Sequence, residues 1–387
     1  MSENKELYLN FDEYIRQGEP AQRERAEAWR VAIGLQAVDG LKTSEYLQET
    51  ARRNIEGEIS IDEARELVKT YYQSKTQREP DEDDKQEADL VSGNITKILS
   101  TDTLDFSTKG YVSLHRRIFE GVMKHAGELR KYDITKKEWV LEYDTVHYLN
   151  WEDLRRALDY DIEQERQFSY KGLSSDELIA HVTRFVSGIW QIHAFGEGNT
   201  RTTAVFSIQY LRSLGFSVDN NQFAKHSWYF RNALVRANYK SAVKGIDYSP
   251  VYLERFFRNL LLGEEWDLRN RYLHIHPTAE WKEQPNLSTP SSTPSSTPSS
   301  NDNISELVRV IGSDELSVRQ MMDKKGLKDR KNFMDYHLTP AIKEGLIDMK
   351  YPDSPRHPRQ KYLLTVKGMT LYEGLSMAKH RGRVPVS

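Results

Sequence analysis

His193-Ala-Phe-Gly-Glu-Gly-Asn-Thr-Arg201 is the stretch whose reading decides the fold. An imidazole, a carboxylate and a guanidinium fall within nine residues, around a Gly-Asn-Thr turn. The run before it, DELIAHVTRFVSGIWQI, and the run after it, TTAVFSIQYLRSLGF, both carry apolar residues at helical spacing. The layout is therefore helix, glycine-containing loop, helix. The second helix should begin near Asn199, which leaves backbone N–H groups of the loop and first turn facing whatever lies above them. Those groups, the helix dipole and Arg201 suit a phosphate. Glu197 suits a magnesium ion bridging phosphates, and His193 suits a general base. Together they describe a nucleotide-handling site.

The rest of the chain sets limits on that reading. Its 387 residues allow two or three domains. Charged residues make up 29% and mean hydropathy is −0.72, the profile of a soluble chain. No apolar run approaches the roughly 20 residues of a membrane span, so no membrane partner is expected. The N-terminus, MSENKELYLNFDEY, lacks the basic-then-apolar order of a signal peptide. Cysteine is absent, which excludes disulfides, thiolate metal sites and cysteine nucleophiles and fits a cytoplasmic location. Residues 303–387 carry sixteen Lys/Arg against ten Asp/Glu, so a basic tail follows an acidic body.

Four sections follow from composition and periodicity: 1–88, 89–284, 285–302 and 303–387. The first reads as helices. RERAEAWRVAIGLQAV stops at Asp39-Gly40, TSEYLQETARRNI ends near Gly57, and ISIDEARELVKTYYQS opens with a capping box of Ser60 and Glu63. EPDEDDKQEA, residues 79–88, reads as an acidic, solvated connector. The core, 89–284, is helical except for RKYDITKKEWVLEYDTVHYL, a Val-, Tyr- and Thr-rich hairpin-like stretch. QPNLSTPSSTPSSTPSSND, at 285–302, is a Ser/Thr/Pro linker. The last section orders three helices and then two short strands around a Pro/Arg-rich loop.

The motif resembles that of the Fic (Fido) family, His-x-Phe-x-(Asp/Glu)-Gly-Asn-Gly-Arg-x-x-Arg. His193, Phe195, Glu197, Gly198, Asn199 and Arg201 match it, while Thr200 replaces the last glycine and Ala204 the second arginine. The resemblance implies a mainly α fold: a Fic-type helical core with a small β-hairpin flap, preceded by an antitoxin-like helical module. The tail resembles winged-helix (α+β) domains, with a recognition helix at about Arg330–Glu344 and a wing holding Arg356, His357 and Arg359. DNA and protein both stay open as its partner, and a homodimer is compatible with the chain.

The implied activity is transfer of AMP from ATP to a Ser, Thr or Tyr hydroxyl, on a target protein or on the chain itself. His193 would be the base and Glu197 the Mg²⁺ ligand. Gly196, Gly198, Thr200 and Arg201 would hold phosphates, Asn199 would brace the loop or donate to phosphate, and Asn238 would meet the adenine. The target would dock at the flap, 138–150. Many relatives are self-inhibited by a helix whose glutamate pairs with the motif's second arginine. Asp39 fits that role best here and Glu56 is the alternative, but the arginine position is Ala204, so the expectation is a helix packed over the site without the family's ion pair. Two rival readings remain. One is transfer of another nucleotide or phosphoryl group. The other is a DNA-binding regulator with a nucleotide-sensing or inactive Fic domain.

Overall fold

The computed structural model describes residues 11–75, 81–101, 103–216, 218, 221–277, 302–327, 329–351 and 360–381. Secondary structure there is mainly helical, with two small two-stranded antiparallel sheets. The chain divides into two compact units: Met1–Gln167 with Thr183–Tyr210 and Asp219–Pro290, and Phe168–Val182 with Leu211–Val218 and Ser291–Ser387.

In the first unit, residues 11–17 are helical and α1 spans Pro20–Gly34. The chain then tightens into a 3-10 turn, Leu35–Asp39, that stops at Gly40 with φ +74°. Helix α2, Glu45–Glu56, is capped by Ser44 and ends on the left-handed Gly57. Helix α3, Ile61–Ser74, carries the Ser60–Glu63 capping box read from sequence. Trp29, Leu47, Ala51, Ile55, Ala64 and Val68 form the shared core of these helices.

The acidic connector is a correction. Residues from Glu82 belong to helix α4, Glu82–Leu99, rather than to a solvated loop. Three acidic residues in the first turn, Glu82, Asp83 and Asp84, suit the positive end of the helix dipole, so a charge run that reads as a loop starts a helix. The boundary between 88 and 89 falls inside this helix, and 1–88 does not form a compact unit of its own.

Helix α5 spans Thr108–Phe119. The hairpin follows: β1, Thr135–Glu138, pairs antiparallel with β2, Asp144–His147, in the register Lys136↔Val146 and Glu138↔Asp144. Its turn is a 3-10 segment, Trp139–Leu141, closed by Glu142 and Tyr143 at positive φ. Then come α6, Leu154–Gln167, and the two motif helices, α7, Ser175–Ile192, and α8, Asn199–Ser213, of which residues up to Val182 and from Leu211 are assigned to the second unit. Helices α9, Asn221–Asn238, and α10, Val251–Leu262, complete the bundle.

The second unit contains α11, Asp302–Ile311, and α12, Val318–Lys325, the latter with a Ser317–Gln320 capping box. The recognition-helix candidate is helical throughout but irregular: α13, Arg330–Phe333, a π turn, Met334–Leu338, and α14, Thr339–Lys343. Pro340 explains the π turn. It has no N–H to donate and its ring would clash with the carbonyl four residues earlier, so the helix widens before it. Strands β3, Ile347–Met349, and β4, Tyr362–Leu364, pair antiparallel, and Leu316 bridges to Tyr362. A last helix, α15, Val366–Arg381, extends beyond the order expected from sequence. Leu307, Val308, Met321, Phe333, Leu338 and Ile347 make up the core. The linker from 285 to 301 and the wing residues Arg356, His357 and Arg359 lie outside the described residues.

Candidate active site

All motif residues lie between the end of α7 and the first turn of α8. His193 follows the last residue of α7 and adopts φ +50°, a conformation that costs a non-glycine residue roughly 1–2 kcal/mol. Packing holds it there. The imidazole is 2% exposed, stacks on the Tyr148 ring at 3.7 Å between centroids and meets Trp190 edge-on at 5.3 Å. Its Nδ1 lies 3.3 Å from the Trp190 carbonyl, an acceptor only, so Nδ1 carries the proton. Nε2 then presents a lone pair, and it is buried with no hydrogen-bond partner. Burial, then the nearby positive charges of Lys136, Arg130 and Arg231, hold this histidine well below its ordinary value, against the pull of the Trp190 carbonyl. It is a neutral base at neutral pH.

Sequence reading missed the residue that fixes this turn. Arg130 is buried, and its guanidinium donates to the carbonyls of His193 at 2.8 Å, Tyr132 at 2.7 Å, Ile192 at 3.4 Å and Leu149. Its backbone N–H donates to Ala194 at 3.0 Å. A cation set on the unsatisfied carbonyls at a helix C-terminus matches the helix dipole. Here it also ties the end of α7 to the strand leaving the hairpin. A single arginine in an irregular stretch has no spacing pattern that would have marked it.

The loop itself is braced from within. Phe195 is fully buried, 3.8 Å from the His115 ring and 5.6 Å from Tyr111, a burial worth roughly 1.5–3 kcal/mol. Asn199 Oδ1 accepts from the Phe195 N–H at 2.9 Å and its Nδ2 donates back to the Phe195 carbonyl at 2.7 Å. Asn199 is thus a loop brace. His115 accepts from the Gly127 N–H on Nδ1, so Nε2–H donates to the Glu197 carbonyl at 3.1 Å. Burial pushes His115 down to about 4. Gly198 is required twice over: its φ is +71°, and a Cβ there would stand 2.2 Å from the Phe119 ring. Gly196 lies beneath the Tyr132 hydroxyl.

The side chains expected to contact nucleotide are divided. Glu197 is exposed. Thr200 is buried, its hydroxyl accepting from Trp190 Nε1 at 2.9 Å. Asn238 donates to the Ser187 hydroxyl at 2.9 Å and to the Leu234 carbonyl at 2.9 Å. Arg201 is 2% exposed, and both of its terminal nitrogens are hydrogen-bonded. Nη1 donates to Gln36 at 3.0 Å and Nη2 to Glu87 at 2.7 Å, while Nε sits 2.8 Å from Asp39 but off the N–H direction, a Coulombic contact rather than a hydrogen bond. Phe119 lies against the guanidinium, 4.8 Å from centroid to Cζ.

Asp39 therefore meets the first motif arginine, not the position of the second, which is the buried Ala204. The 3-10 turn carrying Gln36 and Asp39 is itself anchored to α9. Ser227 donates to the Gly34 carbonyl at 2.9 Å, and Arg231 to the Val38 carbonyl at 3.0 Å. Arg231 also grips Glu138 of the hairpin through both carboxylate oxygens, at 3.0 and 3.1 Å. Glu56 does not join this cluster. It accepts from Tyr14 and pairs with Arg52 on its own helix, and these contacts, in that order, hold its carboxyl below the usual range. Glu87 went unnoticed in sequence because it lies in the run that reads as a connector.

Residues 105–211 match the family described as Fic/DOC. The chain carries a Fic/DOC domain. Residues 302–365 match the C-terminal domain of Fic-like proteins, "Filamentation induced by cAMP protein Fic-like". A curated relative, protein adenylyltransferase VbhT of Bartonella schoenbuchensis, is 24% identical over 181 residues, which are 43% of this chain and 37% of that protein. The chain thus matches little more than a third of that relative's length. Among solved structures, a Fic family protein from Desulfovibrio desulfuricans aligns over 94% of both chains at 17% identity and a TM-score of 0.42. The N-terminal Fic domain of a Bartonella effector protein from Bartonella sp. AR 15-3 aligns over 46% of this chain and 82% of that one, at 18% identity and a TM-score of 0.38. Among the described residues no helix is long and apolar enough to cross a membrane.

Proposed function

We propose that this Fic-domain chain is a protein adenylyltransferase of the cytoplasm, held in a self-restrained state. The observation that carries the reading is the His193 imidazole: neutral, oriented through Nδ1, with a buried and unpartnered Nε2 beside the motif loop. Such a nitrogen takes the proton of a Ser, Thr or Tyr hydroxyl docked along the flap, 138–150. The freed oxygen forms a bond to the α-phosphorus of ATP. The bond from that phosphorus to the bridging oxygen breaks, and pyrophosphate leaves with the electron pair.

First-turn N–H groups of α8 have no intrahelical acceptors and suit the phosphate oxygens. Glu197 is exposed, and no cluster of three metal-ligating side chains occurs among the described residues. The exposed Glu197 carboxylate suits Mg²⁺ held by one carboxylate, phosphate and water. Bound there, the ion would offset charge on the leaving pyrophosphate. Asn238 is a poorer candidate for adenine, because its amide is already committed to Ser187 and Leu234.

In this reading Asp39, Gln36 and Glu87 restrain the enzyme by occupying Arg201, the residue expected to grip phosphate. Incubation with α-labelled and γ-labelled ATP tests the transfer. Label on protein from the α position alone supports it. Label from γ alone means phosphoryl transfer, and no label from either, even after Asp39→Ala, removes it.

A second role is proposed for 303–387. Arg330, Lys331 and Asn332 are all exposed at the start of α13, in a helix–helix–hairpin order suited to the major groove. We read this unit as a DNA-binding winged helix. Binding that weakens steeply with salt supports it. Salt-insensitive capture of a protein partner, or self-association, would replace it.

A further inference from the structure

We propose that Lys136 and Tyr148, on the inner face of the flap, form a phosphate-binding pair above His193, supplying the positive charge that position 204 does not. The inference rests on the transferase reading and extends it to residues outside the motif.

The strand register sets the geometry. Directly opposed residues of an antiparallel pair share a face, and the side alternates along each strand. Lys136 faces Val146, and Glu138 faces Asp144. Thr135, Lys137 and His147 are exposed on the outer side, while Glu138 and Val146 are buried on the inner. Tyr148, two residues past Val146, falls on that same inner side, diagonal to Lys136. Its ring stacks on His193, so the inner face is the one turned towards the base.

The partners complete the argument. Glu138 is gripped by Arg231, and Asp144 by Tyr239 and Lys244. Lys136 is half-buried and has no carboxylate partner among the described residues. The Tyr148 hydroxyl and His193 Nε2 are both buried and both without a hydrogen-bond partner. Buried polar groups are almost always satisfied, so two adjacent orphans mark a place built for a ligand. Their chemistry is asymmetric. Nε2 needs a donor, whereas the tyrosine hydroxyl can donate and the ammonium offers three donors and a charge. A ligand that donates at one point and accepts, as an anion, at the others is an alcohol abutting a phosphate. The positive field of Lys136 at His193, which helps to keep the imidazole neutral, has the same origin. Ala204 is fully buried inside α8 and can offer nothing to the phosphate.

Calorimetric titration of the full-length Asp39→Ala chain with ATP, and separately with adenosine, provides the test. On that background Lys136→Gln should weaken ATP binding about tenfold, and Tyr148→Phe, which keeps the stacked ring, about threefold. Adenosine binding should not change, and Lys136→Arg should restore most of the ATP affinity. Equal weakening of ATP and adenosine overturns the proposal, since the variants would then act through the fold. Unchanged ATP affinity also overturns it, and a rise confined to the KM of an acidic target peptide would reassign Lys136 to the target. If the parent chain binds no ATP, the transferase reading fails first, visibly and before any flap variant is made.

Discussion

The two ends of the motif loop are in opposite states. At the His193 end the working atom is buried, neutral and unpartnered. At the Arg201 end, eight residues on, every face of the guanidinium is taken, by Asp39, Gln36, Glu87 and the Phe119 ring. The contrast separates two requirements of the reaction. Proton abstraction needs only the hydroxyl to arrive. Phosphate grip needs ligands to be exchanged, because the nucleotide must displace contacts that span about 165 and 114 residues of sequence. A site built this way keeps its base ready and controls its substrate.

The largest expected effect comes from removing the ready end. His193→Ala should lower transfer by about 10²–10⁴-fold, the usual contribution of a positioned base. ATP affinity should change less than about twofold, because the ring is assigned no phosphate contact. Equal loss of both would mean that the two ends are not separable. Next comes the occupied end. Asp39→Ala should raise ATP affinity and transfer about tenfold, and adding Glu87→Gln should raise them again, since each is a charge-assisted contact to one buried guanidinium. Titration of the single and double variants reads this directly. Unchanged affinity in both would show that Arg201 is held for the fold, not for control.

The same contrast marks what the sequence could show. The His193 end was legible because its residues are consecutive and typed: helix, loop and helix fall where apolar periodicity puts them, although Gly198, read there as a phosphate contact, and Asn199, read as a brace or a phosphate donor, shape the loop itself. The Arg201 end was only half legible. Asp39 stood out beside a glycine turn, but pairing with Arg201 depends on where a 3-10 turn lands against α9, which no local pattern encodes. Glu87 was hidden in a charge run that looks solvated until the helix it starts is seen. Arg130 and Tyr148 act through distant backbone and ring contacts, so only the folded chain brings them to the loop.

A smaller effect should come from a side chain that touches both halves of the loop. Trp190 lies edge-on to His193 and donates through Nε1 to the Thr200 hydroxyl at 2.9 Å. Trp190→Phe keeps an aromatic ring and loses the hydrogen bond, a cost of about 1 kcal/mol. Thermal unfolding should show a modest fall in Tm, and transfer should drop about threefold to fivefold as the first turn of α8 loosens relative to the base. A fall in ATP affinity without a fall in turnover would place the whole effect at the Arg201 end.

The smallest expected effect is a pH response that stays flat. An ordinary histidine, with a pKa of about 6.5, would lose roughly fourfold of its neutral form between pH 7.5 and pH 6.0. His193 is displaced downward, chiefly by burial and then by the charges of Lys136, Arg130 and Arg231, so its charged form is disfavoured. The sign follows: protonation, and with it loss of the base, is pushed to lower pH, and the rate over that interval should change by less than about twofold. The profile of the Asp39→Ala chain at saturating ATP is the measurement, because it removes the occupied end from the rate. An acid limb centred near pH 6.5 would mean that water reaches Nε2 in the working enzyme and that the dry, unpartnered base is not the species that turns over. Lys136→Gln sharpens the point. Taking away one of the positive charges should move the limb upward, towards the ordinary value, while burial keeps it below that value.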